Sequence, residues 1–249
     1  WQSESRRTNY LDVNQSWWRI FNFSAKFHLK ISQLFLESHD LEALFEFYAG
    51  TLGMPAALHD DQLLIRTAET QLHFKKSDEK RLYHFAFNIP LNKIDSCHRW
   101  LKERASILPF EGEEIIHHVN WNSKAIYAFD SSQNIIEFIA RPSSMEVDGE
   151  DFDPTEDVLN VSEIGMVVNS IPEVRELVKK AGIERFSEAD EYFSAFGSEE
   201  GLFIAMDRQK DFWLPTDIKP EAFPFEAIIE NDKNQYRASF DSSLTLKGL

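Results

Sequence analysis

Apolar residues dominate Tyr83 to Pro90 and Ile126 to Phe138, and each stretch carries one metal-capable side chain among them. At the two-residue period of a strand, His84, Ala86 and Asn88 share one face while Phe85 and Phe87 share the other. Ile135, Glu137 and Ile139 share a face in the same way. A carboxylate between isoleucines is costly to desolvate unless it is paired or coordinated. The two strands together predict a cupped sheet that holds a metal.

The same alternation runs through the rest of the chain. Lys30 to Glu37 reads as a strand, Ser38 to Asp40 as a helix entry, and Leu41, Leu44, Phe45, Tyr48 and Leu52 as an apolar helical stripe that Gly53 stops. Short strands follow near Ala56 to His59, Gln62 to Thr67 and Thr70 to Lys75. This order, strand then helix then three strands, starts again at Tyr83 and once more at Val161, so an internal repeat organises the chain. Gln33, His84 and Glu163 each lie seven positions before the residue that opens the loop to the helix, Asp40, Leu91 and Ser170. Ile94, Cys97, His98 and Leu101 then form the second helical stripe, and Val174, Leu177, Val178 and Ala181 the third.

The predicted fold is therefore α+β, with repeated βαβββ modules. Residues 1–29 form an N-terminal extension bearing Trp17, Trp18, Phe21 and Phe23. Residues 30–141 hold two modules, 30–77 and 80–141, paired into one cupped sheet. A linker at 142–157, a third degenerate module at 158–230 and a tail at 231–249 complete the chain. Glu146 to Asp157 contains seven acids in twelve residues, and self-repulsion with Pro154 makes it an exposed linker. The EF-hand spacing of oxygens around a central glycine is absent from it.

Composition narrows the partners. With 249 residues, 43% of them hydrophobic, the chain can bury a sizeable core. A net charge of −16 leaves no basic patch to track phosphates or anionic lipid, which argues against nucleic-acid and membrane partners. The single Cys97 excludes an internal disulfide framework and points to a reducing, cytoplasmic setting.

Asp40-Leu41-Glu42 through Phe47-Tyr48 and Leu52-Gly53-Met54, with His84-Phe85-Ala86-Phe87 and Tyr127 to Glu137, resemble the vicinal oxygen chelate superfamily. That superfamily includes glyoxalase I, bleomycin resistance proteins and extradiol dioxygenases. The resemblance covers residues 30 to 141 well and the third unit more loosely. Gln133 stands where the family's turn usually has Gly, and Ser131 where Pro is common. Paired modules in that family form a cup whose metal ligands come from the first and last strands. Carried over, this names Gln33, His73, His84 and Glu137 as ligands for Zn, Ni, Fe(II) or Mn(II). Glu163 and Ile204 occupy the matching positions of the third unit, which is expected to be structural.

The resemblance implies a glyoxalase-like, metal-dependent enzyme of isomerase or lyase type, or a dioxygenase if the ion is Fe(II), acting on vicinal oxygens of a small substrate. Its alternative is a non-catalytic protein that sequesters a small molecule as bleomycin resistance proteins do. Glu137 serves as ligand and base in turn, with His118 as a further proton carrier and Tyr127 as a hydrogen-bond donor to substrate. Arg66 and Lys75 are candidates to hold an anionic substrate, although Lys75 could equally pair with Glu37. His117-His118 points one imidazole to each face, so that one reaches the cup or both are surface groups, and helix capping explains Ser38 and Asp40 of Ser38-His39-Asp40, whose adjacency forbids a triad's geometry. Phe212 to Thr216 either lays an aromatic over the sheet or ends the module. An unpaired third half-cup predicts a homodimer through that module.

Overall fold

A computed structural model of the chain describes residues 28–187, 192–231 and 234–249. The stretch read as an extension lies outside the described residues up to position 27. The first unit holds β1 (Leu29–Ser38), α1 (Leu41–Phe45, continued by a π-helical turn over Glu46–Thr51), β2 (Ala56–His59), β3 (Gln62–Arg66) and β4 (Gln71–Lys76). The second holds β5 (His84–Ile89), α2 (Ile94–Lys102), β6 (Ile116–His118), β7 (Ser123–Phe129) and β8 (Ile135–Ala140). The third holds β9 (Asn160–Val168), α3 (Ile171–Lys180), β10 (Phe193–Ser198) and β11 (Gly201–Asp207). One expected strand of this unit is reduced to a bridge between Arg185 and Phe196. Helix entry follows the capping chemistry of the sequence: Asp40 accepts from the Ala43 amide at 2.9 Å and Ser170 from that of Glu173 at 3.3 Å.

The repeat is present, but its pairing differs from the expectation. The strands form two seven-stranded sheets, ordered β14-β13-β12-β1-β4-β3-β2 and β10-β11-β9-β5-β8-β7-β6. Here β12 (Phe225–Asn231), β13 (Asn234–Asp241) and β14 (Ser243–Gly248) come from residues read in part as a tail. The second unit therefore pairs with the third, through antiparallel β5 and β9, and the first unit pairs with β12 to β14, through antiparallel β1 and β12. Alternation assigns faces and not neighbours, which is why the pattern along the chain does not carry the pairing. All six positions of β5 and eight of nine in β9 are buried, whereas β1, the middle strand of its own sheet, alternates buried and half-buried positions. The third half-cup thus pairs with its neighbour within the chain through β9, while β10 remains an edge of that sheet.

Alternation sorts the second sheet's side chains. Phe85, Phe87, Ile136, Phe138 and Ile164 join the main core with Leu34 and Leu36 of β1 and with Leu44, Trp100 and Val178 of the three helices. Ala86, Tyr127, Ile135, Ile139 and Ile204 face the opposite way. Among the described residues no helix is long and apolar enough to cross a membrane.

Two polar anchors hold this arrangement. Buried Asp130 accepts from the amides of Ser132 and Asn134, both at 2.9 Å, from Asn134 Nδ2 at 2.8 Å and from the Tyr48 hydroxyl at 3.0 Å. This ties the first unit's helix to the β7–β8 turn and shapes that turn around Gln133, whose φ of +69° explains why glycine suits the position. Lys93, 3% exposed, donates to the carbonyls of Gly149 at 3.1 Å and Asp151 at 2.6 Å and lies 3.5 Å from Asp157. The acidic linker is therefore pinned, with Phe152 buried against Trp100 at 4.8 Å, although most of its carboxylates are exposed.

Asp130→Ala strands several buried donors at once and should cost about 2–4 kcal/mol in chemical denaturation. A loss below about 0.5 kcal/mol would mean the turn holds without it.

Candidate functional site

One cavity of about 370 Å³ is touched by residues from every strand of the second sheet: His84 of β5, His118 of β6, Tyr127 of β7, Glu137 of β8, Glu163 of β9, Phe193 of β10 and Ile204 of β11. A sheet whose seven strands all reach one cavity is curled around it.

Strand register explains what meets at its floor. Ala86 lies opposite Glu137 on one side of β5 and opposite Glu163 on the other, so two carboxylates flank a residue with almost no side chain. A bulge at this point of the β5–β9 ladder, where Ala86 and Phe87 pair with Glu163 and Val161, re-aims Glu163. His84 Nε2 lies 3.5 Å from Glu137 Oε2 and 3.9 Å from Glu163 Oε2. One ligand atom from each of the three can be chosen so that all lie within 4.8 Å of one another. Among the described residues this is the only such group of histidine, cysteine or carboxylate side chains.

The electrostatics are those of a crowded, dry site. Burial first, and then the charge of Glu163, pushes Glu137 up to about 8. Burial also acts to raise Glu163, but Arg141, with His84, more than reverses this and leaves it below the usual carboxylate range. Burial acts to lower His84, which the two carboxylates outweigh, so its value is raised. One carboxylate is thus ionised while the other competes for a proton, a division set by environment. His84 Nδ1 faces the Ile135 carbonyl at 3.3 Å; a carbonyl only accepts, so Nδ1 carries a proton, and Nε2 faces the carboxylates, which favour a second proton there that a cation would displace.

Around this floor the second layer is ordered. The Tyr127 hydroxyl meets His118 Nε2 at 2.9 Å, and that nitrogen lies 4.0 Å from Glu137 Oε1. Burial lowers His118 from its usual value, which keeps it neutral near pH 7. Arg141, 1% exposed, pairs through Nη2 with Glu163 and through Nε with Asn88 Oδ1 at 3.0 Å. Trp213 lies 5.4 Å from the His84 ring, so the Phe212 to Thr216 segment does lay an aromatic over the sheet. Gly165 makes this possible, since a Cβ there would stand 2.8 Å from Trp213 Cη2.

Of the residues named from sequence, His84, Glu137, Tyr127 and His118 come together here. The other four do not, because the first unit belongs to the other sheet. Gln33 and His73 sit on β1 and β4, where Phe35 stacks on the His73 ring at 4.6 Å and Gln62 bonds its Nδ1 at 3.2 Å. Phe35 pairs with His73 as Ala86 pairs with Glu137, so a phenyl ring fills the space that the second sheet leaves open. Arg66 and Lys75 are exposed on the same sheet, and the Glu37 carboxylate is held by Arg81 at 2.7 Å rather than by Lys75. Glu163 was legible as the register match of His84, but the apolar Ile204 at the position equivalent to Glu137 argued for a structural unit. Arg141 follows Glu137 and Ile139 at period two, which is the signal that could have placed it in the cup.

No protein-family model and no curated relative matches the chain by sequence. Solved structures do match by shape. Two variants of glyoxalase I from Zea mays superpose with TM-scores of 0.53 and 0.54 at 12% identity, over 87% and 88% of this chain and 90% and 94% of theirs. A protein from Bacillus subtilis assigned as a dioxygenase superposes at 0.58 and 11% identity, over 88% of this chain and 84% of its own.

A raised folded-state pKa means the folded chain holds its proton more tightly than the unfolded chain. Glu137 therefore stabilises fully below the ordinary carboxylate value of 4.5, and that contribution is lost as pH rises to about 8. His84, also raised, acts in the same sense. The metal-free protein should accordingly lose melting temperature between about pH 5 and about pH 8. Glu137→Gln should flatten that slope; an unchanged slope in the variant would contradict the assignment.

Over nearly its whole described length, then, the chain has the fold of glyoxalase I and of that Bacillus subtilis protein, built from repeated βαβββ modules.

Proposed function

We propose that the protein is a metal-dependent enzyme of the glyoxalase and dioxygenase type, with His84, Glu137 and Glu163 holding a divalent cation. The observation that carries this reading is the buried cluster itself. Two carboxylates and an oriented imidazole converge, all buried, on a cup floor, and Glu137 holds a proton there that a cation would replace. One imidazole and two carboxylates make a harder donor set than two imidazoles and one carboxylate, which favours Fe(II) or Mn(II) over Ni and leaves Zn compatible. Such an ion supplies Lewis-acid polarisation of vicinal oxygens on a small substrate.

The chain's own groups supply the rest. His118, neutral and bonded to Tyr127, is placed to take a proton from substrate beside Glu137. Tyr127 orients that imidazole. Trp213, Trp121 and Phe193 line the cavity and keep water from the floor. The second reading, a sequestering protein without metal, is favoured by one observation: Arg141 already balances the charge of Glu163.

Plasma mass spectrometry decides between them. The parent, after incubation with Fe(II) or Mn(II) and desalting, should carry close to one ion per chain, and a His84→Ala/Glu137→Ala double variant should lose at least about tenfold in affinity for it. Absence of metal from the parent after reconstitution would favour the sequestering protein.

A further inference from the structure

We infer that Arg141 makes the cup select a ligand that carries one negative charge on an apolar, ring-sized body. This rests on the divalent-cation reading above and names the ligand class of that same site.

The argument is one of charge in a buried place. Among the described residues, Glu137 and Glu163 are the only acids lining the cavity, and together they cancel a dication. The Arg141 guanidinium is then left over. It is 1% exposed, and no second carboxylate is paired with it among the described residues. Its Nη1 has no hydrogen-bond partner, although Nε and Nη2 are both engaged. The guanidinium carbon lies 5.9 Å from the Trp121 ring and Nη2 pairs with Glu163, and both of those residues line the cavity, so the uncompensated charge sits directly behind the cup's lining. A buried charge without a counter-charge is costly, and a ligand that supplies the missing negative charge removes that cost.

The chain as a whole points the other way. Its net charge of −16 would draw cations to the surface. Long-range attraction is screened within about 10 Å at ordinary ionic strength, whereas charges in a dry cup are not. The local balance therefore decides what is held. The walls fix the rest of the ligand: Trp121, Phe193, Ile204, Met206, Trp213 and Leu214 offer aromatic and aliphatic surface. A small aryl-bearing acid with two vicinal oxygens meets every one of these conditions.

The test uses the full chain loaded with Mn(II), its metal content measured first by plasma mass spectrometry. Isothermal titration calorimetry then compares mandelate with its neutral methyl ester, which has the same ring and the same vicinal oxygens. Mandelate should bind at least about tenfold more tightly. Arg141→Met, loaded to the same metal content, should bring that ratio close to one, and Arg141→Lys should keep most of it. A mandelate affinity no greater than that of the ester, including no binding of either at millimolar concentration, would overturn the inference. A ratio unchanged in Arg141→Met would do the same. The parental comparison stands even if the variants fail to fold. Failure to load metal is read separately, at the mass spectrometer, and overturns the cation reading and with it this inference.

Discussion

The antiparallel junction of β5 and β9 is the constraint on which the site depends. It brings the first strands of two units side by side, so that Glu163 stands opposite Ala86 and 3.9 Å from His84, its equivalent residue in the repeat. Parallel pairing of β5 with β8 then adds Glu137 on the other flank. Slipping either ladder by one residue would turn these side chains toward the core of phenylalanines. The register that buries Phe85, Phe87 and Phe138 is thus the same register that assembles the polar cluster, and hydrophobic burial fixes the geometry of the chemistry.

The two sheets share an architecture and differ in what fills it. On the second sheet, alanine opposite Glu137 leaves room, and glycine at 165 lets Trp213 close over His84. On the first, Phe35 occupies the corresponding space and stacks on His73. The small residue lets Glu137 and Glu163 converge on one cavity floor, whereas the large one covers His73, and the cavity of about 410 Å³ on the first sheet is lined by Phe35 itself. Arg141 completes the contrast, because it sets the charge of the open cup by holding Glu163 ionised.

Much of this was legible in the sequence. Period-two alternation places His84 and Glu137 on faces opposite the phenylalanines, and the seven-residue spacing from Gln33, His84 and Glu163 to the helix entries fixes the repeat. What the pattern does not carry is which first strand pairs with which. Alternation specifies faces, not neighbours, so adjacency in sequence suggested the first two units. In the assembled sheets β5 takes β9 and β1 takes β12 as antiparallel neighbours, each partner distant in sequence. Glu163 and Arg141 escaped for a related reason: each reads as an isolated charge until the other is beside it.

The central claim is that a cation site is built across the second and third units and not the first and second. Crystals grown with Mn(II) test this through the ion's anomalous diffraction. The account predicts one strong peak bounded by His84 Nε2 and the carboxylates of Glu137 and Glu163. A peak beside His73 on the other sheet, or none at the cup floor, would contradict it.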